Sequence, residues 1–189
     1  MVMERQYIGA DKFIEIVGGP EYEGRAVELV RGVIVEMSMP NPEHTEILSR
    51  LHARLAMYVY DNDLGRVAVG DTPYIVERNS EGKDTVRGLD LSFLSKSTAP
   101  QPLPRQPMTV MPDLAVEVIS SSNEAADIRL KIDQLLEAGA SVIWVVYPDM
   151  RIVDVHTASG VTMLKEDDML SGEDVLPGFE IPVADISPS

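Results

Sequence analysis

The stretch Met111–Lys131, MPDLAVEVISSSNEAADIRLK, constrains the fold more than any other part of the chain. Leu114, Ala115, Val116, Val118 and Ile119 form an almost unbroken apolar run, the pattern of a strand covered on both faces. Glu117 interrupts that run. A carboxylate so placed loses its water, which costs several kcal/mol unless something compensates. Residues 120–123 (SSSN) read as turn and helix-cap chemistry. The helix that follows, over about 123–138 and ended by Gly139, carries Asp127 and Lys131 four residues apart, hence on one face. An acid on a buried strand with a lysine on the next helix predicts the core of a metal-dependent active site.

A second strand shows the same anomaly. In VRGLDLSFL, Asp90 lies between Leu89 and Leu91, where aspartate is disfavoured. If the two strands are neighbours, Asp90 and Glu117 converge in one cleft, and like charges that close repel. A divalent cation resolves the conflict, because Mg²⁺ takes oxygen ligands, one or two of them carboxylates. Lys131 could then stabilise developing charge or orient the attacking water. The residues alone leave a plain alternative open: a buried Glu117–Lys131 ion pair, with Asp90 as a turn or cap residue. Asp113 is not the metal partner of Glu117, since four residues along a strand span about 13 Å; it is expected to end the strand.

The remaining elements surround this pair. Residues 10–18 have helical spacing, and RAVELVRGVIVEMS reads as a hairpin about Arg31-Gly32. Glu28, between Val27 and Leu29, reads by itself as the solvent-facing residue of an alternating strand. Residues 42–63 form the longest helix, with a stripe of Ile47, Leu48, Leu51, Leu55, Tyr58 and Val59 and with Asn41 as cap. His44 shares that stripe and points toward the core, either as a hydrogen-bonded structural residue or as part of a site. Residues 66–76 supply one or two strands, and the proline-rich 95–110 is a surface loop. SVIWVVYP is a strand, MRIVDVHTASGVTMLK a hairpin, and LPGFEIPV an edge strand. Strands alternating with two long helices predict a mixed α/β (α+β) fold, one domain over 1–189 with a central sheet.

Charge bears on the partner. The chain has no cysteine, which excludes a disulfide framework, a thiolate metal site and a cysteine nucleophile, and fits the cytoplasm. No apolar run reaches 18 residues and no basic-plus-apolar leader is visible, so neither a membrane span nor a secretion signal is expected. The formal net charge of −15 is unusual for a nucleic-acid partner, which normally meets a basic surface. The charge is uneven, however. Arg50, Arg54, Arg66, Arg78, Lys83, Arg87, Lys96 and Arg105 cluster in the middle of the chain. They are either a solvated surface or the face that meets a polyanion. In the second case Arg78, Lys83 and Arg87 are the residues whose charge reversal should weaken DNA binding.

Over about residues 10–182 the chain resembles the Uma-type endonuclease family, a widespread bacterial group in the PD-(D/E)XK, or restriction-endonuclease-like, superfamily. VELVRGVIVEMSMPNPEH resembles the family's opening hairpin and later histidine, GLDLSFL the strand with its first metal-binding aspartate, and PDLAVEVISSSNEAADIRLK the strand–helix with its second acid. GASVIWVVYPDMRIVDVH resembles its tryptophan-bearing hairpin. The resemblance implies a Mg²⁺- or Mn²⁺-dependent DNA endonuclease. Asp90 and Glu117 would hold the metal, with Lys131, Glu28 and His44 as further catalytic residues. Ile119 stands where the superfamily's lysine would follow the second acid, and the family's lysine displaced onto the next helix corresponds to Lys131. Leu89 replaces the family's proline before the aspartate, Gln134-Leu135 occupy the region of a helix tyrosine, and Tyr147 replaces an aspartate before the hairpin proline. A homodimer is attractive because two sites could cut two strands. The second reading, from a different class, is a catalytically silent nucleic-acid-binding or assembly module on the same fold, which the acidic surface favours.

Overall fold

A computed structural model describes residues 7–120 and 123–186. Helix α1 (Ala10–Val17) packs Phe13 against the hairpin formed by β1 (Val27–Val30) and β2 (Val33–Glu36). Arg31 and Gly32 both take positive φ, 48° and 78°, as a two-residue turn between twisted strands requires. Helix α2 (Pro42–Asp61) begins at Asn41, whose side chain accepts from the His44 amide at 2.8 Å. It buries Ile47, Leu51, Leu55 and Val59 on the sheet, each such residue contributing about 1.5–3 kcal/mol.

The sheet is mixed but mostly antiparallel. β3 (Gly65–Glu77) is one continuous strand and pairs along β4 (Thr85–Ser95), with a bulge between Val69 and Thr72. β5 (Leu114–Val118) pairs antiparallel with β4 and parallel with β6 (Val142–Tyr147); β7 (Ile152–Thr157) and β8 (Gly160–Lys165) complete the sheet. Helix α3 (Ala125–Ala138) makes the β5–α3–β6 crossover and ends on Gly139 in the left-handed region, at φ 108°. The order is β2-β1-β4-β5-β6-β7-β8, with β3 also on β4. β1 pairs with β4 only at Leu29–Val86, and β5 only at Leu91–Phe93. The sheet therefore forks along β4, and the fork positions the site.

Both faces of β5 are covered, as its apolar run predicts. Leu114, Val116 and Val118 join the core that includes the α2 residues and Trp144, while Ala115 joins the core that contains Leu135 of α3. Strand alternation thus sends Glu117, two residues beyond Ala115, toward α3.

Two expectations need correction. LPGFEIPV does not edge the central sheet: β10 (Glu180–Pro182) pairs with β9 (Met169–Ser171) in a separate two-stranded sheet. Residue 124, not the SSSN run, is the N-cap of α3, and it makes no side-chain cap bond. Asn123 instead closes the preceding turn by accepting from the Ser120 amide at 2.8 Å; Ser121 and Ser122 lie outside the described residues. No helix among the described residues is long and apolar enough to cross a membrane.

Candidate active site

A cleft of about 120 Å³ opens at the fork, with Glu28, His44, Asp71, Arg87, Asp90, Glu117, Asp127 and Lys131 among its lining residues. The five residues that the sequence and the resemblance single out all reach it. The register Leu91–Val116, continued by one pair, sets Asp90 opposite Glu117, and cross-strand partners share a face. The Asp90 carboxylate accepts from the Val118 amide at 2.7 Å, and its Oδ2 lies 3.1 Å from His44 Nε2. His44 comes from the first turn of α2, positioned by the Asn41 cap. The Asp90 hydrogen bond, more than burial opposes it, raises the imidazole pKa and favours the imidazolium.

Lys131 enters from α3. Its Nζ donates to Glu117 Oε2 at 2.7 Å and lies 3.3 Å from Glu28 Oε1. A helix lysine therefore reaches the acid on the preceding strand although Ile119 holds the position two residues after it. Burial alone would lower the Lys131 pKa; the Glu117 and Glu28 carboxylates overcome it and hold the ammonium above its ordinary range. Burial pushes the Glu117 carboxyl up to about 8 against the pull of Lys131, and Asp90 adds to the rise.

Glu28 corrects the reading of its strand by itself. It is 3% exposed, not solvent-facing. Its Oε2 accepts from Arg87 Nη1 at 2.7 Å and its Oε1 from the Gly88 amide at 3.0 Å. Burial would raise its pKa, but Lys131 and Arg87 outweigh burial and hold it below the ordinary carboxylate value. Arg87 donates from Nε and Nη2 to Gln134 Oε1 as well, at 3.0 and 2.7 Å. Arg87 and Gln134 thus form a floor under Glu28 that sequence reasoning missed. Arg87 carried a signal: a charge in an apolar strand, the same anomaly that marks Asp90 and Glu117.

The donor set fits a divalent cation held by two carboxylates. Glu117 Oε1 is buried and has no hydrogen-bond partner, and Asp90 lies beside it. Among the described residues no group of three His, Asp or Glu side chains converges on a single ion position. Asp113 stands outside the cleft, accepting from the Ser95 amide at 2.6 Å.

Without metal, Glu117 links folding to protons. Its folded-state affinity for a proton exceeds that of the unfolded chain, so its contribution to stability is present below the ordinary carboxylate range and lost as pH rises through about 8. Urea midpoints of metal-free protein should therefore fall between pH 5 and 9, and Glu117→Gln should flatten that fall; an equal slope in both proteins refutes the assignment.

The basic face needs revision. Arg87 is buried, Arg78 pairs with Asp11 and Asp84, and Lys83 with Glu81. Arg54 and Lys96 also have acid partners, Asp185 and Asp63. Exposed Arg66 and Arg105 pair with no acid among the described residues, and both line a groove with Leu103, Pro104 and Thr72. Thr72 of the groove follows Asp71 of the cleft at the β3 bulge.

A family model described as "Putative restriction endonuclease", Uma2, matches residues 10–184. No curated protein matches. Among solved structures, the chain is similar to a "putative nuclease belonging to DUF820" from Anabaena variabilis ATCC 29413, with 20% identity, a TM-score of 0.80, and coverage of 95% of this chain and 97% of that one. At that identity the likeness shows the fold.

Proposed function

The chain belongs to the Uma2 family, described as "Putative restriction endonuclease", and from that membership and the donor set of the cleft we propose that it is a divalent-metal-dependent endonuclease acting on DNA. One observation carries the reading: two cross-strand carboxylates, one with an unpartnered buried oxygen, face an ammonium delivered from the next helix. Asp90 and Glu117 would hold Mg²⁺ or Mn²⁺, which supplies Lewis acidity toward the phosphodiester and its attacking water.

The protein groups divide the remaining work. Lys131 Nζ, 2.7 Å from Glu117, stabilises charge that develops on the phosphoryl oxygens or orients the attacking water. Glu28 keeps Lys131 charged and aimed, and Arg87 keeps Glu28 ionised. His44 holds Asp90 Oδ2, so that the Asp90 carboxylate has one orientation in the cleft. A homodimer would bring two clefts to the two strands of a duplex.

The test is nicking of supercoiled plasmid with Mg²⁺ or Mn²⁺, against a chelator control. Cleavage that needs metal, Asp90 and Lys131 supports the reading; cleavage that persists in both variants sinks it. The acidic surface favours the second reading, a silent binding or assembly module, and metal that changes neither stability nor cleavage would favour it further.

DNA contact is expected through the groove. Arg66→Glu with Arg105→Glu should weaken binding of a fluorescent oligonucleotide and lower the magnitude of the log–log salt slope by about 2, one for each lost phosphate contact. An unchanged slope would place the DNA elsewhere.

A further inference from the structure

Three neighbouring strands carry a carboxylate in one row. On one edge of β4, Asp90 stands opposite Glu117. On the other edge the β3 register jumps from Val69–Leu91 to Thr72–Leu89, so Gly70 and Asp71 together face Asp90. This is a β-bulge, a device that re-aims a side chain. Both bulge residues take positive φ, 91° at Gly70 and 49° at Asp71. Asp71 sits exposed at the rim and lines the cleft. Its carboxylate accepts no hydrogen bond and forms no ion pair among the described residues.

The bulge does not require that charge. Its backbone needs only a residue that tolerates the left-handed region, and asparagine or glycine would serve without adding a negative charge beside Asp90. Glu117 Oε1, on the far side of Asp90, is buried without a hydrogen-bond partner, although Lys131 meets the other oxygen of that carboxylate at 2.7 Å and His44 meets Asp90 at 3.1 Å.

We propose that Asp71 is a third carboxylate of this site, a positioning residue that accepts hydrogen bonds from the water shell of the cation held by Asp90 and Glu117. The proposal rests on the metal-dependent reading above. A hydrated Mg²⁺ keeps several waters, and a rim carboxylate outside direct reach orients them without displacing them.

Calorimetric titration of the full chain with Mn²⁺ and Mg²⁺ tests it, using wild type, Asp71→Asn and Asp90→Asn, with melting curves of each metal-free protein. Asparagine tolerates the bulge backbone, so Asp71→Asn should fold and melt no lower than wild type. It should bind one ion about tenfold more weakly, whereas Asp90→Asn should show no binding. Wild-type affinity in Asp71→Asn reduces Asp71 to a bulge residue and overturns this inference alone. Complete loss in Asp71→Asn makes it a direct ligand and overturns the water-shell role. No binding by wild type overturns both this inference and the metal site beneath it.

Discussion

Asp90→Asn should lower metal-dependent DNA cleavage by at least about a thousandfold and leave the metal-free protein as stable as wild type, or more so. The size follows from the Lewis-acid contribution of a catalytic metal, several kcal/mol of transition-state stabilisation, at about 1.4 kcal/mol for each tenfold in rate. The direction of the stability change follows from charge. Asp90 lies between Asp71 and Glu117, and burial already presses the Glu117 carboxyl toward its protonated form. Removing one negative charge relieves that repulsion, which outweighs the loss of charge opposite His44, whose Nε2 lies 3.1 Å from Asp90 Oδ2. The asparagine oxygen can still accept from the Val118 amide, which Asp90 accepts at 2.7 Å. Wild type should gain about 2.7 kcal/mol from Mn²⁺ at a hundredfold excess over its dissociation constant, and Asp90→Asn should gain almost nothing. Paired melting curves with and without Mn²⁺, alongside plasmid nicking, measure both effects. A variant that still cuts, or that melts higher with metal as wild type does, removes Asp90 from the site.

Lys131→Ala should destabilise the metal-free protein by about 3–5 kcal/mol, because it leaves buried carboxylates without their counter-charge. For a chain of this size that is a fall in Tm of about 10 °C. From the sequence, an ion pair and a catalytic lysine stand as alternatives. In the structure they are compatible, since the ammonium that bridges Glu117 at 2.7 Å and Glu28 at 3.3 Å faces the cleft. The two roles separate in the presence of metal. If the site binds a cation, Mn²⁺ replaces part of the lost positive charge, and Lys131→Ala should gain more stability from Mn²⁺ than wild type does while failing to cut. If Lys131 is only structural, the variant melts low and metal leaves it there. Full cleavage by a Lys131→Ala protein that Mn²⁺ has restored would show that the lysine takes no part in the reaction.

Much of this was legible along the chain because the signals are local. Strand, turn and helix follow from periodicity and caps over a few residues, as in Asn41 at α2, Arg31-Gly32 in the hairpin and Gly139 after α3. Asp90 and Glu117 announce themselves because a carboxylate in an apolar strand contradicts its neighbours. Lys131 follows Asp127 by four residues on a helix legible from its pattern, whereas its 2.7 Å contact with Glu117 on the preceding strand is a product of the tertiary structure.

What the sequence by itself determined is therefore the three helices, the two hairpins, the two anomalous acids and the covered faces of β5. Tertiary structure decided which strands are neighbours and which groups are buried. Glu28 alternates like a solvent-facing residue, yet it lies at the fork over Arg87 and Gln134, from a strand 59 residues before that arginine. Arg78, Lys83 and Arg87 look like a basic face in sequence, but folding brings Asp11 to Arg78 and Glu28 to Arg87, while Lys83 pairs with Glu81 two residues away. Asp71 joins the carboxylate row only through a slip in register between β3 and β4. Pairing, register and burial depend on which distant segments close around a residue, and local pattern holds no record of that; a charge with ordinary neighbours in sequence becomes functional only when the fold removes its water and supplies its partner.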